Sequence, residues 1–136
     1  MKRLVLALAC LAGPAWAQVP WLTIVGDRND PKADTIEMNP VAVSRQGQSV
    51  VMEIRVSRSI VRTSSDGVQF RSFRGEVGFD CAQSTARFLR SQFYAEPLWQ
   101  VPVQELRYPA DRVRPMEFRR FEPNPRDKVI KAACSR

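Results

Sequence analysis

Between Ser49 and Ser57 the chain reads SVVMEIRVS. Val50, Met52, Ile54 and Val56 share one parity, and Val51, Glu53, Arg55 and Ser57 share the other. A period of two sends alternate side chains to opposite faces, so the stretch predicts a half-buried antiparallel strand with the first set inward. Ile60 and Val61 extend it after a break. On one side the tetrad Arg45–Gln48, centred on Gly47, predicts a hairpin turn, and on the other Ser64–Gly67, reading SSDG, predicts a second.

Further strands follow from the same reasoning. Residues 21–25 (WLTIV) read as a first strand, 26–33 as a polar loop, and 35–38 as a short second strand. Val41 to Val43 continue that strand beyond the Asn39-Pro40 break. Residues 68–81 form a long strand in which Phe73, Val77, Phe79 and Cys81 share a parity. Phe70 does not, which places a bend near Ser72 to Gly75. Residues 82–95 and 98–106 favour strand over helix, with Pro102 marking the second as an edge. Pro109 and Pro115 break residues 108–121 into loop and short extended pieces. A final helix begins with Asn124 as N-cap, Pro125 in first position and Asp127 in third. Val129, Ile130 and Ala133 fall on one side of it, near Cys134. The fold class is therefore α+β, mainly β.

The first residues, MKRLVLALACLAGPAWAQ, have the three parts of a secretory leader: Lys2 and Arg3, an apolar run, and the cleavage pattern Ala15-Trp16-Ala17. The apolar run is too short to span a bilayer. Residues 1–17 are expected to be removed, leaving residues 18–136 as one domain. Lipidation at Cys10 is the alternative, and it leaves Ala15-Trp16-Ala17 without a role. Processing removes two of the 21 basic side chains, leaving 19 against 14 acidic ones, so the net charge falls from +7 to +5. The expected location is the periplasm or the exterior, with surface association open.

Cys81 is the residue most able to decide the class of function. As a thiol nucleophile it needs a basic partner, and the chain has no histidine. As a zinc ligand it needs about three companions, which two cysteines without histidine do not supply. No C-x-x-C motif supports disulfide exchange. After processing only Cys81 and Cys134 remain, and two cysteines in an exported chain most simply form one disulfide. The chain-entropy model gives such a staple roughly 4 kcal/mol.

Seventeen of the 21 basic residues are arginine. Arg112, Arg114, Arg119, Arg120, Arg126, Lys128 and Lys131 cluster near the end of the chain. Asp111, Glu117, Glu122 and Asp127 lie among them, so the local excess is three. An ordinary charged surface explains the cluster; a face for an acidic protein or polyanion is the functional reading. Nucleic acid is disfavoured by an exported address and by the lack of a helix-turn-helix, zinc-finger or RNA-binding motif. The arginine–aromatic alternation of FRSFRGEVGF (residues 70–79) is explained by phenylalanines inward and arginines outward on a sheet. Ser64 and Ser65 have no histidine base, and neither a phosphate loop nor a dinucleotide glycine pattern is present. No cofactor or metal is implied. Glu53, Glu76 and Asp80 are the acids available to a small hydrolase, which needs two carboxyls at a defined separation.

The layout as a whole resembles the surface-adhesin protein E-like family of small exported Gram-negative bacterial proteins. The resemblance rests on the leader, Trp21 opening the first strand, and the stretch TIEMNPVAV before a glycine turn. The valine-rich strand, the pair Asp80-Cys81 and a basic C-terminal region ending in Cys134 complete it. It implies a single curved antiparallel sheet with a short C-terminal helix held against it by Cys81 and Cys134. It also implies an adhesin-like role toward extracellular-matrix or serum proteins, with no binding residue carried over. The expected function is a non-catalytic exported binding protein, its candidate face being Arg112, Arg114, Arg119, Arg120, Arg126 and Lys128. A structural envelope protein is the alternative, and a small envelope-polymer hydrolase or inhibitor a further one.

Overall fold

The computed structural model describes residue 13 and residues 20–135. The expected leader, with Cys10 and the Ala15-Trp16-Ala17 pattern, otherwise lies outside the described residues. The strands are β1 (Leu22–Val25), β2 (Thr35–Met38), β3 (Ser44–Gln46), β4 (Ser49–Thr63), β5 (Gln69–Asp80), β6 (Thr85–Tyr94), β7 (Pro102–Arg107) and β8 (Arg114–Pro115). A short 3₁₀ turn spans Pro97–Trp99, and the helix α1 is Arg126–Cys134. The strands make one open antiparallel sheet in the order β1-β2-β4-β5-β6-β7, with β3 also pairing β4 and β8 also pairing β6.

The alternation in β4 organises both faces. Val50, Met52, Ile54 and Val56 are almost completely buried. Their cross-strand partners on β5 are Phe79, Val77, Gly75 and Phe73, so the apolar sets of two strands fall on one face. Ile36 and Met38 of β2 and Phe88 and Phe93 of β6 widen it. Burying such side chains contributes about 1.5–3 kcal/mol each. The cover over this face comes from the C-terminal quarter: Met116, Phe118, Phe121, and then Val129, Ile130 and Ala133 of α1. As expected, Cys81 is bonded to Cys134, which joins the end of β5 to the last turn of α1 with the Cα atoms 5.6 Å apart.

The opposite face is polar. Across it run Thr23, Glu37, Arg55, Arg74, Gln92 and Glu105, each opposite the next on five successive strand pairs. Arg55 lies between two indoles, 4.3 Å from the Trp21 ring centre and 4.1 Å from that of Trp99. Its Nε donates to the fully buried Glu37 at 2.7 Å, so this cation is committed to holding β2, β4 and the 3₁₀ turn together.

Four expectations are corrected. Val41 to Val43 do not continue the second strand: Asn39 Oδ1 accepts the Val41 N–H at 3.0 Å, which turns the chain, and both valines are exposed. The hairpin partner is β3 instead, across the expected turn at Gly47. The expected bend near Ser72 to Gly75 lies on the facing strand. Register slips between Ser57 and Arg62, where β4 carries five positions against two on β5. Residues 98–106 begin as the 3₁₀ turn, with Leu98, Trp99 and Val101 all at positive φ, and only Pro102–Arg107 is strand. Ser57 and Ser72 hydroxyls accept the Leu98 and Trp99 N–H groups and fix that conformation. Finally, α1 starts one position late, with Pro125 as the N-cap; Asn124 Oδ1 accepts the Arg126 N–H at 3.0 Å.

Candidate binding site

The extra residues in β4 have a chemical consequence. Arg58 follows Val50, Met52, Ile54 and Val56 in parity, so it enters the apolar side of the sheet and is 3 % exposed. Ile60 and Val61 are turned out to solvent instead. A buried guanidinium must have acceptors. Arg58 Nε donates to Asp34 Oδ1 at 3.1 Å, and its two terminal nitrogens donate to the carbonyls of Arg119 and Arg120, each at 2.9 Å. Its Cζ sits 3.8 Å from the Phe121 ring centre. One side chain thereby straps residues 116–121 across the sheet. Arg120 has φ of 59°, and the bond to its carbonyl holds that left-handed turn in place.

Charge at this strap is tuned by its surroundings. Burial disfavours ionisation of Asp34, but the Ser59 N–H and the Arg58 guanidinium outweigh it and hold its pKa below the ordinary value. Burial draws the Arg58 pKa down, an effect Asp34 opposes and the neighbouring Arg62 reinforces. Arginine starts high enough that Arg58 stays a cation at physiological pH.

Between the strap and the β4–β5 hairpin lies a cavity of about 410 Å³. Its floor is aromatic: Phe70, Phe73, Phe88 and Phe93 pack with ring centres 5.2–5.8 Å apart in tilted and edge-on contacts. Arg58, Arg62, Arg114, Arg119 and Arg120 line it with only Asp66 and Glu117 as acids. Arg114 is paired with Asp66, which also accepts the Tyr108 hydroxyl at 3.1 Å. Burial, with the Asp66 charge, raises the Tyr108 pKa despite a hydrogen bond with Ser91. Arg119 approaches Glu117 only at 3.8 Å, with both side chains more than half exposed. Arg62 and Arg120 make no ion pair among the described residues.

Of the arginines and the lysine singled out in the sequence, Arg114, Arg119 and Arg120 meet at this cavity. Arg126 does not: it lines a second, separate cleft of about 720 Å³ and pairs with Asp127 at 2.9 Å. Arg112 sits in a turn closed by its own N–H to the Pro109 carbonyl, and Lys128 is exposed on α1; neither lines the cavity or the cleft. Arg58 and Arg62 were not singled out. The signal for Arg58 was parity, since it continues the inward phase of β4; Arg62 faces Phe70 only after the register slip, which parity does not show.

The candidate acids are arranged differently. Glu53 and Glu76 face each other directly across β4 and β5 on the polar face. Glu76 is bonded by Arg90 at 3.0 Å, and Glu53 accepts from Asn39 at 3.4 Å. Neither lines either cavity. Asp80 accepts the Gln83 N–H at 3.1 Å and caps the β5–β6 turn. Among the described residues no cluster of three metal-ligating side chains occurs, and no helix is long and apolar enough to cross a membrane.

The open antiparallel sheet, its C-terminal helix and the Cys81–Cys134 link agree with the family that the layout resembles. The model of that family, surface-adhesin protein E, matches residues 21–135. The chain belongs to the surface-adhesin protein E family. No curated protein matches it by sequence. Membership places this adhesin-family protein among exported or surface proteins and points to a non-enzymatic role toward extracellular partners. The match takes in the strap, the cavity and both cysteines.

Proposed function

We propose that this adhesin-family protein is a non-catalytic binding protein that engages an acidic segment of an extracellular or envelope protein through the arginines around the strap. The observation that carries this reading is the charge balance of one cavity: five arginines against two acids, with Arg62 and Arg120 unpaired among the described residues. Exposed arginines pair bidentately with carboxylates and set specificity and encounter rate more than raw affinity. Arg119 and Arg120 present their side chains outward while Arg58 fixes their backbone, so the cations are held on a rigid support. Residues 18–136, free of the leader, are the secreted or periplasmic form in this reading.

The test is binding of poly-glutamate and of a fractionated matrix extract to the immobilised protein at low and physiological salt. Exposed charges are screened over about 8–10 Å at such ionic strengths. Reversing Arg119 and Arg120 to glutamate should reduce binding at least tenfold and abolish its salt dependence while leaving the unfolding midpoint in place. Undiminished binding by that variant would overturn the reading.

A further inference from the structure

The aromatic floor is not explained by the recognition of acidic chains, which needs cations alone. We propose that the cavity is a subsite for one amphipathic anion, an aryl or short acyl group bearing a single carboxylate, with Arg62 as its charge partner. The inference rests on the reading above in taking this cavity as the binding face. Three observations converge on it.

The first is size. A cavity of about 410 Å³ lies in the range that holds a small ligand or one large side chain, roughly 300–1,000 Å³. The second is the surface it offers. Phenylalanines from β5 and β6 close the bottom, and Tyr108 stands at the wall with its hydroxyl already given to Asp66. Such a floor favours an apolar body and gives a polyanion nothing to pair with. The third is unspent hydrogen-bonding capacity. Arg62 Nε and Arg114 Nε are both buried and both lack an acceptor among the described residues. A buried donor without a partner costs about 1–3 kcal/mol, and both of these belong to side chains that line the cavity. Arg114 has its neutralising carboxylate in Asp66; Arg62 has none among the described residues. A carboxylate entering over the phenylalanines would supply the counter-charge that Arg62 lacks among the described residues, while its apolar body covers the rings.

Two sources can present this chemistry: a free aryl carboxylate, or a peptide whose last residue is aromatic and whose α-carboxylate is free. The experiment is calorimetric titration of the oxidised protein with 3-phenylpropanoate and with 3-phenylpropan-1-ol, which shares the body but not the charge. A second arm compares a short peptide ending in phenylalanine with its C-terminal amide. The inference predicts saturable binding of at least one carboxylate, binding at least tenfold weaker by its uncharged counterpart, and loss of at least tenfold in affinity in Arg62→Gln. The arm that binds names the source.

Failure of both carboxylates, equal binding of acid and uncharged analogue, or unchanged affinity in a folded Arg62→Gln protein would each overturn it. If Arg62→Gln does not fold, the comparison of acid with uncharged analogue on the unaltered protein decides alone. Poly-glutamate binding, measured in parallel, separates the two proposals. Retained poly-glutamate binding with no aryl carboxylate binding sinks the subsite and leaves the wider reading standing.

Discussion

Loss of the Cys81–Cys134 bond should reveal how much of this fold depends on one covalent link. The bond closes a loop of 53 positions, for which the chain-entropy model gives about 4 kcal/mol. That is a large share of the 5–15 kcal/mol by which domains are usually stable. The helix it tethers has nine residues, too few to persist alone in water. Its attachment otherwise rests on Val129, Ile130 and Ala133, all buried against the sheet. The perturbation is Cys81→Ser with Cys134→Ser, or reduction of the unaltered protein, and the assay is urea unfolding followed by circular dichroism. With a denaturant slope of about 2 kcal/mol per molar, the midpoint should fall by about 2 M. The slope itself should rise, because the unlinked unfolded chain exposes more surface. Without urea the reduced protein should keep its sheet signal, since most of the effect lies in the unfolded state. Equal midpoints for the oxidised and reduced forms would refute the reasoning.

Three further outcomes follow from the geometry. Arg58→Ala should cost about 3 kcal/mol or more in urea unfolding, because it leaves the Arg119 and Arg120 carbonyls without their donor and removes the cation over Phe121; a loss below 1 kcal/mol would show that the strap is held by its aromatics alone. Gly26→Ala should destabilise by about 2–4 kcal/mol, since a Cβ there would stand 2.2 Å from the Asp34 carbonyl oxygen on a backbone at φ of 78°, and a neutral effect in thermal unfolding would contradict the close approach. Asp34 has a folded pKa below its unfolded value, so its stabilisation is present above about pH 4 and is lost as pH falls through the folded pKa; Asp34→Asn should flatten that acid limb, and an unchanged acid limb in a pH series of unfolding midpoints would be the adverse result.

The sheet was legible because Val50 to Val56 of β4 and Phe73 to Phe79 of β5 alternate cleanly, and the helix because Asn124, Pro125 and Asp127 mark its start within one position. The staple was legible from cysteine count and export alone. The cavity was not, for a local reason. Arg58 continues the inward parity of β4 into a stretch where the register slips, whereas the alternation read from the sequence ends at Ser57 with a break after it. Asp34, the Phe121 ring and the carbonyls of Arg119 and Arg120, 61 and 62 positions later, give Arg58 its role. The terminal arginine cluster was legible as composition, yet it divides in space: three of its members reach the cavity, and Arg112, Arg126 and Lys128 do not. The turn at Leu98 to Val101 was hidden because nothing in a valine- and tryptophan-rich run announces positive φ; buried serines on two other strands impose it.

The measurement that tests the central claim most directly is amide chemical-shift mapping of the oxidised protein titrated with a glutamate-rich peptide. The account predicts saturable shifts confined to the β4–β5 turn around Arg62 to Asp66 and to residues 114–121, weakening as salt rises. Shifts centred on Arg55, Arg74 and Arg90 of the polar face, with residues 114–121 silent, would contradict it.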